Sequence, residues 1–144
     1  MDIVKEARRA YERIRPHIRE TPLEPSPFLE RSGCNAYCKL ENLQHTGSFK
    51  VRGALNKLLS LKPRALARGA VTASTGNHGL AVAYAMKVTG ASGIIFVTED
   101  ADPSKIQAIE RLGGNVRLHG KDCVETEAYA RQYAIEHQMT WGSL

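Results

Sequence analysis

The chain has 144 residues, 42% hydrophobic and 24% charged, with a formal net charge of +5 and a pI near 9.3. That is enough for one domain with its own core, in an ordinary soluble composition. The most apolar run, residues 94–97, is strand-sized and too short to cross a membrane, and no secretory leader is expected behind Met1-Asp2-Ile3-Val4-Lys5-Glu6.

Asp2 is placed to cap a helix over residues 3–15, in which Ile3, Ala7, Ala10, Tyr11 and Ile14 form one apolar stripe. Much of the positive charge lies here, in Lys5, Arg8, Arg9, Arg13, Arg15 and Arg19. Glu6, Glu12 and Glu20 interrupt it and no aromatic ladder accompanies it, so it reads as a solvated helix face and not as a nucleic-acid surface. Pro22, Pro25 and Pro27 exclude a regular helix over residues 21–27. Residues 36–41 read as a strand. After a polar loop, Ser48 is placed to cap a helix reaching Leu61.

From residue 70 the pattern is regular. Strands are expected at 70–73, 93–98 and 116–118, and helices at 77–89, from Pro103 to Gly113-Gly114, and at 123–136. Gly90 closes the first of these helices. Alternation of this kind implies βαβ units on a parallel sheet, an α/β fold. The chain reaches Leu144 where a further strand is expected to be starting.

The three cysteines, Cys34, Cys38 and Cys123, have no framework spacing and point to reduced thiols in a cytoplasmic compartment. Neither they nor the five histidines show metal-ligand spacing, and no metal site is expected.

Two segments carry candidate chemistry. In the first, Lys50 falls in the opening turn of a helix directly after Phe49. A positive helix end and partial burial both favour a neutral amine, which can attack an aldehyde to form an imine. Phe49 offers a flat face for a ring. On spacing alone, a lysine at a helix start is more often a surface charge. The second segment is Thr72-Ala73-Ser74-Thr75-Gly76-Asn77-His78-Gly79, between a strand and a helix. Small and hydroxylated residues at such a junction cradle an anion, and the position outside the carboxyl end of a strand is where α/β sheets bind ligands. A plain helix cap by Ser74, Thr75 or Asn77 is the competing reading.

Thr46-Gly47-Ser48-Phe49-Lys50-Val51-Arg52-Gly53-Ala54 closely resembles the lysine motif of fold-type II pyridoxal-phosphate enzymes, the tryptophan synthase β-like fold. Ser74-Thr75-Gly76-Asn77-His78-Gly79 resembles their substrate-carboxylate loop. Thr21-Pro22-Leu23, Lys39-Leu40-Glu41-Asn42 and the run from Glu99 to Lys105 also fit the threonine/serine dehydratase and serine racemase branch. The resemblance implies that Lys50 joins pyridoxal 5'-phosphate as an imine and later moves protons at the substrate α-carbon. It implies that Phe49 flanks the cofactor ring and Asn77 bonds its phenolic oxygen, while Ser74, Thr75, Gly76, Asn77 and His78 surround the substrate carboxylate.

The implied reaction is deamination of L-threonine or L-serine to a 2-oxo acid and ammonia. Thr75 stands where dehydratases often have alanine and racemases a serine that serves as a second base, which leaves racemisation open. The family's glycine-rich phosphate loop has no counterpart in residues 1–144, which implies a catalytically incomplete portion. Residues 1–67 would begin the large cofactor-binding domain, the less stable part here, and residues 68–144 would form most of the small βαβα domain. The implied partners are a small amino acid and either a second copy or a complementary chain.

Overall fold

In the computed structural model, which describes residues 2–31 and 33–142, Asp2 caps helix α1 (Ile3–Ile14) by accepting the Lys5 N–H at 3.1 Å. Pro16 lacks the donor that another α-turn needs, and the chain tightens into a 3-10 turn over Arg15–His17. The proline-spaced segment then becomes a strand. Leu23–Pro25 (β1) runs antiparallel to Tyr37–Lys39 (β2), with Leu23 opposite Lys39 and Pro25 opposite Tyr37. A two-stranded ribbon leaves one edge of each strand unpaired, so proline is tolerated there. β2 is shorter than the expected 36–41, because Glu41–Leu43 already turns as a 3-10 segment.

Helix α2 (Lys50–Leu59) starts at the lysine. Phe49 is already in helical geometry at φ −64° and ψ −15° and serves as N-cap with no side-chain capping bond. Ser48 therefore stands one position outside the cap its residue type suggests. Its Oγ is buried with no hydrogen-bond partner among the described residues, as is Thr46 Oγ1. A short helix α3 (Pro63–Ala67) leads into β3 (Ala70–Ala73), α4 (Asn77–Thr89), β4 (Gly93–Val97), α5 (Pro103–Arg111), β5 (Val116–Leu118), α6 (Cys123–Glu136) and β6 (Thr140–Trp141). Gly90 ends α4 at φ 68°, a left-handed geometry that glycine adopts without steric cost.

β3 to β6 form one parallel sheet in the order β5-β4-β3-β6. The chain steps outward from β3 to β4 to β5. Then α6 carries it back so that β6 pairs on the far side of β3. Both faces of the sheet are covered, which is why residues 94–97 read as an unbroken apolar run. Ile95 and Val97 face a core with Ala81, Val82 and Ala85 of α4 and Ile109 of α5, whereas Val71, Ile94 and Phe96 pack with Ala130 and Ala134 of α6.

The first of these cores also takes in Val51, Ala54, Leu55 and Leu58 of α2, so the lysine-bearing helix lies along α4. Full burial of a side chain such as Leu55 or Val51 stabilises by roughly 1.5–3 kcal/mol, and this packing sets where Lys50 can point.

Candidate active site

The loop before α2 is held by backbone bonds and by one glutamine. Gln44 Nε2 donates to the Arg19 carbonyl at 2.7 Å, and its Oε1 accepts the Arg19 N–H at 3.1 Å. Gly47, at φ 69°, lets the chain turn into the helix. Lys50 emerges half-buried, with Nζ 5.2 Å from the centre of the Phe49 ring. That ring is 59% exposed, so a flat aromatic face lies bare beside the amine. Arg52, two residues further on in the same turn, is bound by Glu41 through two bonds of 2.7 Å. The Arg52 guanidinium holds the Glu41 carboxyl down at about 2.

The second segment leaves the carboxyl end of β3, beside the point where the strand order reverses between β3 and β6. The Ser74 N–H donates to the Phe96 carbonyl at 3.0 Å and fixes the start of the loop. Ser74 Oγ accepts the Gly76 N–H at 3.2 Å. The N-cap of α4 is Gly76, and among the described residues no side chain caps the helix, so neither Ser74, Thr75 nor Asn77 plays that part. The first-turn amides are thus left for another acceptor. Gly79 is required for this shape, since a Cβ there would meet the Ser74 carbonyl oxygen at 2.2 Å.

His78 turns its side chain away from solvent. Nε2 lies 2.6 Å from the Gly142 carbonyl oxygen and 3.0 Å from Thr72 Oγ1, and Thr72 Oγ1 also donates to the Gly142 carbonyl at 3.1 Å. Burial pushes the His78 imidazole below its usual value. The bond to Gly142 opposes this, the Lys50 charge adds to it, and the Glu127 carboxylate opposes it.

The predicted site residues do not all line one pocket. The Lys50 charge disfavours the His78 cation across the α2–α4 contact. Phe49 borders a cavity of about 530 Å³ with Arg15, Arg19, Lys39, Glu41 and Arg52. Ser74 and Thr75 border a separate one of about 60 Å³ with Thr98, Cys123, Thr126 and Glu127. Asn77 is exposed.

Along the chain, Gln44 and the pairing of Glu41 with Arg52 carried no separate role, and Thr72 stood in the second segment without a role of its own. Thr72 carries a legible signal: it is the one hydroxyl in the strand Ala70–Ala73, and it is 1% exposed. A lysine amine beside a bare aromatic ring fits the aldehyde and ring of pyridoxal phosphate, and the helix start on the neighbouring α4 fits a carboxylate.

Comparison with known proteins decides the family. The family of pyridoxal-phosphate dependent enzymes matches over residues 14–143. The chain belongs to this family. Pyridoxal phosphate is the family's cofactor, and the fold is that of its fold-type II members. A protein of Sinorhizobium fredii called a putative threonine dehydratase is 40% identical over 133 residues, covering 92% of this chain and 40% of that protein. The crystal structure of serine racemase from Dictyostelium discoideum superposes with a TM-score of 0.85 at 37% identity, covering 96% of this chain and 45% of that one. Threonine deaminase isoform 2 from Solanum lycopersicum gives a TM-score of 0.84 at 32% identity, over 95% of this chain and 39% of that one. The chain thus spans less than half the length of the family members it matches.

Proposed function

We propose that this chain carries the lysine and the substrate-carboxylate loop of an ammonia-lyase that converts L-threonine or L-serine to a 2-oxo acid and ammonia. The observation that carries the reading is the placement of Lys50 beside the bare Phe49 ring, on a helix packed along the uncapped α4. The choice of amino acid rests on the likeness to the threonine dehydratase and threonine deaminase chains.

When bound, pyridoxal phosphate supplies an electron sink for the pair left at the substrate α-carbon. The protein does the rest. Lys50 Nζ would hold the cofactor at its aldehyde and would move the α-proton. Phe49 would flank the ring, and Asn77 would donate to the phenolic oxygen. Ser74, Thr75, Gly76, Asn77 and His78 orient the substrate carboxylate, with backbone N–H groups as the main donors. Loss of the α-proton and the β-hydroxyl removes one water, and hydrolysis of the released product frees ammonia.

Residues 1–67 would belong to the large cofactor-binding domain and residues 68–144 to the small one. The phosphate loop and the partner of the pyridine nitrogen would come from polypeptide outside these residues, whether of a longer chain or a complementary one. A homodimer in the cytoplasm fits the same reading. Amino-acid racemisation is the second reading. Thr75 favours it, because its hydroxyl stands in the loop where racemases place a serine as second base, and the likeness to serine racemase supports it.

Reduction with borohydride after mixing with pyridoxal phosphate, followed by peptide mass spectrometry, tests the site. Label concentrated on Lys50 supports it. Label scattered over Lys39, Lys57 and Lys87, or none, means that these residues alone form no working site. Release of a 2-oxo acid against formation of D-serine separates the two activities.

A further inference from the structure

The Gly142 carbonyl receives two donors from the strand–loop–helix unit that carries the proposed carboxylate loop. Thr72 Oγ1 donates at 3.1 Å from inside β3, and His78 Nε2 lies at 2.6 Å from the first turn of α4. A nitrogen lone pair facing a carbonyl oxygen at that distance would be repulsive, so Nε2 carries the proton. Thr72 Oγ1, whose own hydrogen points to Gly142, lies 3.0 Å from the same nitrogen. Nδ1 is then the bare nitrogen of the neutral ring, and it is buried with no hydrogen-bond partner among the described residues. Gly142 is also tied to β3 through its N–H, which donates to the Val71 carbonyl at 2.8 Å.

We infer that the His78 side chain is a positioning residue, not an acid, base or substrate ligand: as the Nε2–H tautomer it brackets the first turn of α4 to the Gly142 carbonyl and so holds the backbone N–H groups of the loop in place. This rests on the reading of Ser74–His78 as the carboxylate loop. One residue then has two separate tasks. Its backbone N–H belongs to the anion cradle, and its ring ties that cradle to the segment that follows β6. A second proton would put an N–H on Nδ1, buried without an acceptor, so the bracket works in the neutral ring. The charged groups that act on the ring are Lys50 on α2, which disfavours the cation, and Glu127 on α6, which favours it.

The test uses the chain itself and needs neither cofactor nor substrate. Long-range nitrogen–proton correlation of the histidine rings is expected to show His78 as the neutral Nε2–H tautomer at pH 7. An Nδ1–H tautomer or an imidazolium would overturn the inference. Amide exchange is then read at Gly142 and at Thr75, Gly76 and Asn77, with Ile95 as the reference for global unfolding. His78→Ala is expected to speed exchange at both places by on the order of tenfold, and His78→Gln, whose amide can still donate to Gly142, to restore most of it.

Thr72→Val, which removes the other donor, should give a smaller rise at both. Acidification should loosen the loop in the parent chain, after correction for intrinsic exchange, and not in His78→Gln. Faster exchange at Gly142 with an unchanged loop, or no restoration by glutamine, would show a local strand contact and sink the idea. If His78→Ala speeds Ile95 equally, His78→Gln and Thr72→Val decide between the same two outcomes. Absence of pyridoxyl label on Lys50 would remove the enzymatic reading and leave these exchange results standing.

Discussion

Arg52 and Glu41, eleven residues apart, meet in a two-pronged ion pair, with Nε on Oε2 and a terminal guanidinium nitrogen on Oε1, both at 2.7 Å. Thr21 Oγ1 adds a third donor to Oε1 at 2.6 Å. The pair joins the end of the β1–β2 ribbon to the first turn of α2, and so to Lys50.

Glu41→Gln should destabilise the chain by about 2 kcal/mol at neutral pH, since a hydrogen bond to a charged group contributes roughly 1.5–3 kcal/mol. The dependence on pH has a definite sign. The folded carboxyl lies at about 2 against an ordinary 4.5, so its contribution is complete above 4.5 and is lost as the pH falls through the interval to about 2. Urea unfolding of both chains should show the difference at neutral pH and its disappearance below the lower value.

The histidines act in the same direction, each gaining a charge on protonation where the carboxylate loses one. His78 is pushed down chiefly by burial, and His45, stacked on Tyr84, by burial and then by the Arg19 charge. Each takes up a proton more readily unfolded than folded. Their contribution is therefore complete above the ordinary 6.5 and is lost as the pH falls below it. Replacing both by glutamine should flatten the stability curve on the acid side of neutrality, read from melting temperatures.

Gly79 and Gly76 should respond unequally to alanine. An alanine within a helix normally stabilises by about 1 kcal/mol over glycine. At Gly79 the new Cβ would press on the Ser74 carbonyl oxygen at 2.2 Å, and the expected result is a loss of about 1–3 kcal/mol with shifted loop amides. At Gly76 a Cβ meets nothing within 4 Å, and the change should stay within about 1 kcal/mol. Thermal unfolding and amide spectra of the two variants check the contrast.

Leu55 is fully buried between α2 and α4. Leu55→Ala should cost about 3 kcal/mol through lost burial and the cavity left behind. It should also weaken labelling of Lys50 more than labelling of Lys87, since it loosens the helix that aims the former. Lys50→Ala should remove the label and leave the melting temperature nearly unchanged, because that side chain stands at the open start of the helix.

Exchange should be fastest in the β1–β2 ribbon. Leu23 and Tyr37 are exposed there and, among the described residues, the ribbon's outer edges are unpaired. Slowest exchange is expected in β3 and β4, where both sheet faces are covered. Protection of residues 23–25 equal to that of residues 94–97 would contradict this ordering.

The regular half of the fold was legible residue by residue. The bounds of β3, α4, β5 and α6 agree with their apolar spacing and glycine stops, because those signals act over a few neighbouring residues. The lysine motif was legible for the same reason, since it is a contiguous string. Ser48 was misread as a cap because capping depends on whether the next residue is already helical, and Phe49 is.

Local signals along the chain set the elements from Ala70 to Glu136, the parallel α/β class and the two segments at which chemistry is expected. Long-range packing makes the proline-spaced stretch pair as a ribbon and returns β6 to the far side of β3. It alone decided that Glu41 meets Arg52 and that the His78 ring is spent on the Gly142 carbonyl. The physical reason is range. Periodicity, caps and turns are set by neighbours in the chain, whereas strand order and the partner of a buried ring are set by which distant surfaces exclude water together.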